Sequence, residues 1–238
     1  MKSLPRSLLL ALALTTGAWV PVQAQTLEQL DAAAQRGDYH TAFTGFKKLA
    51  EQGNTSAQNN LGFMYYNGQG VPKDEQQAVA WYRKAAEQGY AMAQSNLGLM
   101  YYKGQGVPKD DQQAVVWFRK AAEQGHARTQ YNLGVMYRDG QGVPKDKQQA
   151  VVWFRKAAEQ GFTDAQYNLG VMYRDGQGVL KDDQMAYFWL LLASAQGHQN
   201  TAEFRDLVER GLSPEQRAAA QAAARNWQPK TAAQSSKL

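Results

Sequence analysis

Tyr131-Asn132-Leu133-Gly134-Val135-Met136-Tyr137-Arg138-Asp139-Gly140-Gln141-Gly142-Val143 returns without a change at positions 167–179, 36 residues later. Looser copies stand at the same interval upstream, at 59–71 and 95–107. Gly53, Gly89, Gly125, Gly161 and Gly197 keep the same period and divide the chain into four units, 53–88, 89–124, 125–160 and 161–196. Self-similarity at a fixed period of this length is the mark of a solenoid, in which each unit buries its apolar face against the next.

Each unit reads as two helices. In the first unit one spans about Ser56 to Tyr66 and stops at Gly68-Gln69-Gly70, a turn-forming triplet. Pro72 cannot continue it, and Asp74 is placed to accept hydrogen bonds from the free N–H groups opening a second helix. That helix runs through Ala78, Trp81, Ala85 and Ala86 and ends near Gly89. Gly62, Gly98, Gly134 and Gly170 recur inside the first helices. Gly there costs roughly 1 kcal/mol against Ala, so its repetition predicts a close helix–helix contact. Trp81, Trp117, Trp153 and Trp189, one per second helix, read as core.

The pattern changes at both ends, as terminal units of a solenoid should. Residues 25–52 read as an N-terminal helical cap, with 38–53 aligning to 74–89 as a lone second helix. Residues 197–227 read as a C-terminal cap of two helices, and Ser213-Pro214-Glu215-Gln216 is a capping box with Pro at the first helical position. Residues 228–238 read as a disordered tail. At the other end Lys2 and Arg6 precede the apolar run 7–14, and Val22-Gln23-Ala24 has the small residues of a cleavage site. Residues 1–24 are therefore expected to be a secretory signal peptide, too short to span a membrane, with a mature chain from Gln25. A periplasmic address is expected, with secretion as the alternative.

Composition narrows the chemistry. The 238 residues contain no Cys, which excludes disulfides, thiolate metal sites and Cys nucleophiles. The formal charge is +5, or +3 without Lys2 and Arg6, and no dense basic run marks a nucleic-acid binder. No Ser-x-x-Lys, Gly-x-Ser-x-Gly or His-Glu-x-x-His motif is present. Gly68-Gln69-Gly70 follows no strand, and Gly104-Gln105-Gly106-Val107-Pro108-Lys109 lacks phosphate-loop spacing. His40, His126 and His198 lie far apart in sequence and read as surface or capping residues. The pairs Asp110-Asp111 and Asp182-Asp183 sit at helix starts, where negative charge suits the helix dipole. No catalytic residue, metal or cofactor is expected.

The period, the Leu-Gly-x-Met-Tyr core, the Gly-x-Gly-Val loop and the Ala-x-x-Trp second helix resemble Sel1-like repeats, a subfamily of tetratricopeptide-type solenoids. The resemblance covers about 38–197. It implies an all-α fold: an α/α solenoid coiled as a right-handed superhelix, with first helices lining the concave side. It also implies a non-enzymatic protein–protein interaction scaffold of the bacterial envelope. A cysteine-rich branch of the family binds or hydrolyses β-lactams, and this chain lacks its cysteines. A β-lactam- or cell-wall-directed hydrolase and a secreted host-interaction factor are the alternative functions.

Comparison among the four copies separates two faces. Gln58, Leu61, Gly62 and Tyr65 keep their identity in every unit and form the packing face. The positions of Ser56, Asn59, Phe63, Tyr66 and Asn67 change and cover an arc about 100° wide on another side. In that arc Phe63, Tyr66, Met92, Leu99, Tyr102, Arg128, Tyr131, Arg138, Tyr167 and Arg174 are the candidate groove residues for a protein or extended peptide. Arg138 and Arg174 are expected to offer planar donors to an acidic partner. The other reading of the arc is a drifting solvent face with Tyr half-buried between neighbours. Residues 185–192 form a helix apolar on every side, covered by the C-terminal cap or, alternatively, by a second copy of an otherwise monomeric chain.

Overall fold

The computed structural model describes residues 26–199 and 201–231. The expected signal peptide and the end of the expected tail, 232–238, lie outside these residues. Among the described residues there are twelve helices and no strand. The cap helices α1 (Leu27–Gln35) and α2 (Tyr39–Glu51) precede four hairpins: α3 (Thr55–Asn67) with α4 (Glu75–Glu87), and α5 (Ala91–Lys103) with α6 (Asp111–Glu123). Then come α7 (Ala127–Asp139) with α8 (Lys147–Glu159), and α9 (Thr163–Asp175) with α10 (Asp183–Ala195). The chain closes with α11 (Thr201–Glu209) and α12 (Pro214–Asn226).

Local chemistry sets the helix ends. Asp74, Asp110, Asp146 and Asp182 each accept the third backbone N–H of the following helix at 2.9 Å. Gly68 closes α3 at φ 70°, a left-handed conformation that a Cβ would strain. Each second helix packs on the first helix of its own unit and on that of the next, so the core runs the length of the solenoid.

The repeated Gly makes the close contact that its cost predicts. A Cβ on Gly134 would lie 2.7 Å from the Phe154 ring, and one on Gly98 would lie 2.6 Å from Phe118. In the first unit Tyr82 fills this place, and in the fourth Leu190 does. These residues, one position after each Trp, are the fully enclosed members of the second helices. The Trp reading therefore needs correction. Trp153 and Trp189 are buried, but Trp81 and Trp117 are only half-buried. Lys84 lies 4.0 Å over the Trp81 ring and Lys120 lies 4.3 Å over Trp117. The open face of these two rings is therefore met by a lysine ammonium.

A glutamine ladder joins the units. Gln58, Gln94, Gln130 and Gln166 are buried, and each donates Nε2 to a carbonyl near the end of the preceding second helix, Ala50, Ala86, Ala122 and Ala158. Each Oε1 accepts, at 2.8 Å, from the glutamine that ends its own unit: Gln88, Gln124, Gln160 and Gln196. A buried carboxamide is tolerated because both ends are satisfied, and each rung ties two repeats together.

At the C-terminal end α11 continues the row of first helices one period after α9. His198 stacks on Tyr167 at 4.4 Å, and Phe204 meets the same Tyr167 edge-on. Helix α12 lies over α10 beside Leu192, which is buried, and Leu191, which is half-buried, while Leu190 is enclosed against Gly170 of α9. Residues 228–231 differ from the expected disordered tail. Lys230 donates its backbone N–H to the Glu159 carbonyl at 2.8 Å and its Nζ to the Glu159 carboxylate at 3.0 Å. The segment after α12 is thereby strapped to the end of α8.

Candidate functional site

The first helices stand side by side, joined by polar side chains. Asn60 donates to Asp31, Asn96 to Asn59, Thr129 to Ser95, and Arg138 to Asn168. The variable arc lies on this row. Phe63 and Met92 are about half open to solvent, at 50% and 48%. Arg128 is exposed, while Tyr66, Leu99, Tyr102, Tyr131, Tyr167, Arg138 and Arg174 are half-buried.

Between α5 and α7 the row opens into an apolar cleft of about 150 Å³. Leu99 and Tyr102 form one wall, Tyr131 and Val135 the other, and Phe118 lies below. Asn132 and Gln141 supply polar groups, and the Tyr102 hydroxyl donates to Gln141 Oε1 at 3.3 Å. Tyr66 makes the same bond to Gln105 at 3.2 Å. The seat recurs 72 residues earlier, between α1 and α3, where Phe63, Met64, Asn60, Gln69 and Phe46 occupy the corresponding places. The cleft thus unites three of the sequence candidates, Leu99, Tyr102 and Tyr131.

The candidates of the last two units have other partners. Tyr131 packs against Phe154 and Phe162, with ring centroids 5.7 and 5.2 Å away. Burial, then the nearby Asp164 carboxylate, pushes its hydroxyl above the usual tyrosine value. Tyr167 is covered by His198 and Phe204. Arg138 places Nε and Nη2 on the Asp139 carboxylate at 2.7 and 2.8 Å and Nη1 on Asn168 at 2.8 Å. Arg174 holds Asp175 in the same two-point grip and lies 4.5 Å over Phe204. These bonds hold the carboxyls of Asp139 and Asp175 below the ordinary carboxylate value. Both guanidinium forks are therefore engaged within the chain, contrary to the expectation of free planar donors. Replacing Tyr131 and Arg138 together would disturb packing as well as the groove.

The variable arc already held Val135, as the counterpart of Phe63, but Asn132 and Gln141 lie outside it. A signal existed for Asn132: Asn60, Asn96, Asn132 and Asn168 hold one position in all four units. Among the described residues no group of three or more His, Asp and Glu is placed to hold a metal. His126 and His198 each meet a Thr three residues on, Thr129 at 2.6 Å and Thr201 at 2.7 Å, at the start of α7 and of α11. Burial, then Arg128, lowers the His126 pKa.

The Sel1 repeat family profile matches residues 55–90, 91–126, 127–162 and 163–198. The chain belongs to the Sel1 repeat family. Its repeats begin two residues after the glycine-marked boundaries, at the start of each first helix. The fold is similar to a Sel1 repeat protein from Oxalobacter formigenes, 38% identical with a TM-score of 0.72, covering 76% of this chain and 74% of that one. It is also similar to a protective antigen with this fold present in uropathogenic Escherichia coli strains, 40% identical with a TM-score of 0.71. That match covers 83% of this chain but only 42% of the antigen's length. No curated protein matches the sequence. Sel1 repeat proteins are in general non-catalytic protein–protein interaction scaffolds.

Proposed function

We propose that this chain is an exported, non-catalytic adaptor of the bacterial envelope that binds a protein or extended peptide along its row of first helices. The observation that carries the reading is the apolar cleft between α5 and α7, flanked on the same row by the exposed Phe63 and Met92. Apolar groups held half open on a rigid row favour a partner that covers them. The Lys2/Arg6 flank, the apolar run and Val22-Gln23-Ala24 support export to the periplasm. No helix among the described residues is long and apolar enough to cross a membrane. The protective-antigen description of the Escherichia coli relative supports a second reading, a secreted host-interaction factor, which changes the address and not the binding surface.

The test is capture from envelope extract with wild-type protein and two variants. Leu99→Asp places a charge in the cleft and should lose the captured partner. Val152→Asp, at an exposed position of second helix α8, should keep it. Equal capture by all three proteins, or loss only with Val152→Asp, refutes the surface assignment. An intact Met1 on protein from a cytoplasmic fraction refutes export.

A further inference from the structure

Two kinds of constant polar residue occupy the first helices, and only one is explained by the fold. The ladder glutamines make the same two bonds in every unit, so packing accounts for them. The constant asparagines do not. Asn60 donates to Asp31, Asn96 to Asn59, and Asn168 to the Asp164 carbonyl while accepting from Arg138. The Asn132 carboxamide has no hydrogen-bond partner among the described residues, although it is half-buried and lines the cleft. No single intramolecular bond keeps asparagine at this position. Asn132 and the free oxygen of Asn96 stand on the two helices that enclose the cleft.

Charge distinguishes the same pair of helices. Arg138 and Arg174 are closed by Asp139 and Asp175. Lys103, in the last turn of α5, and Arg128, in the first turn of α7, are exposed and have no carboxylate partner among the described residues. The first helices run in one direction, so these two cations lie at opposite edges of the row with the cleft between them.

We infer that the α5–α7 cleft binds an extended, polyproline II-like segment with an apolar side chain flanked on both sides by acidic residues. This rests on the protein-binding reading above and names its partner class. Three residues complete a turn of that backbone, so when one side chain points into the cleft its two neighbours point to the two edges. An apolar residue seats on Leu99, Tyr102 and Val135, and its neighbours reach Lys103 and Arg128. The polyproline II backbone has no internal hydrogen bonds, and its free amides and carbonyls suit a carboxamide that both donates and accepts. Adjacent helices lie about 8–10 Å apart and such a chain rises about 3.1 Å per residue, so Asn96 and Asn132 would meet it about three residues apart.

The probe is the capped peptide acetyl-Gly-Pro-Glu-Leu-Glu-Pro-Gly-amide, titrated calorimetrically into the protein. Its lysine counterpart, with Lys for both Glu, is the control. Wild type should bind the glutamate peptide saturably and at least tenfold more tightly than the lysine peptide. Asn132→Ala should weaken binding at least fivefold. Lys103→Glu/Arg128→Glu should reverse the preference between the two peptides, a result that general loss of structure cannot produce. Absence of saturable binding, equal affinity for both peptides, or an Asn132→Ala protein that binds as wild type overturns the inference. If the envelope partner is still lost with Leu99→Asp, the groove reading survives that failure. If Leu99→Asp leaves the partner bound, the groove reading falls as well.

Discussion

Replacing Gly134 by Ala sets two physical effects against each other, and they differ in sign. Helix propensity alone favours Ala inside α7 by about 1 kcal/mol. Packing opposes it: the added Cβ would meet Phe154 ring atoms at 2.7, 2.8 and 3.1 Å. The ring cannot easily retreat, because Phe154 is fully buried and lies against Tyr131. Overpacking of this kind costs about 1–3 kcal/mol. Three contacts under 3.2 Å place Gly134→Ala in the upper part of that range, so the net loss should be about 1–2 kcal/mol. Removing the ring removes the opposing effect. In a Phe154→Ala background, itself about 3–5 kcal/mol less stable, Gly134→Ala should become neutral or stabilising by up to about 1 kcal/mol. Urea unfolding followed by far-UV circular dichroism on the four proteins of this double-mutant cycle gives the coupling, expected at about 2 kcal/mol. A stabilising Gly134→Ala in the wild-type background would refute the close-contact account of the repeated glycine.

The neighbouring pair in α6 separates core from cover: Phe118→Ala should cost about 3–5 kcal/mol, and Trp117→Ala roughly half as much because its ring is half-buried under Lys120. Equal losses in denaturant unfolding would mean that both residues are core. His126 titrates below its ordinary value of 6.5, through burial and then Arg128, so the folded state favours the neutral ring. Its contribution is full above the unfolded pKa and is lost as pH falls through that value toward the lower folded one. The urea midpoint of wild type should therefore drop more between pH 7.5 and 5.5 than that of His126→Phe, which copies Phe162 of the next unit; an identical drop refutes the burial account.

Most of the solenoid was legible in one dimension because its determinants are local and repeated. Asp74, Gly68 and Pro72 act within a few residues of themselves, and the four copies of the Asp and the Gly, with three of the Pro (Leu180 stands in the fourth unit), mark the helix boundaries. The glycine at the first-helix contact was legible as well, since a residue that weakens a helix four times over needs a tertiary reason. The Trp residues show where this reasoning runs short. Trp117 and Phe118 are adjacent, both apolar and both at positions that stay large in every unit, and only 100° separates them on the helix. An apolar stripe is wide enough to hold both, so the pattern alone does not say which one the next helix encloses.

The candidate site divides in the same way. The variable arc, its aromatic and apolar members, and the constant asparagines are present in the amino-acid order itself. Their partners are not. Tyr102 meets Gln141, 39 residues on, and Tyr167 is covered by Phe204 of α11. Arg138 reaches Asn168 of the following unit while gripping its own neighbour Asp139. The period and the helices follow from backbone preferences acting over three or four residues, and these are written in the chain. Which cation stays free, which tyrosine stays open and where the cleft forms depend on how one repeat seats against the next. That seating is a balance of side-chain volumes and hydrogen bonds across the row, and it exists only once neighbouring repeats have stacked.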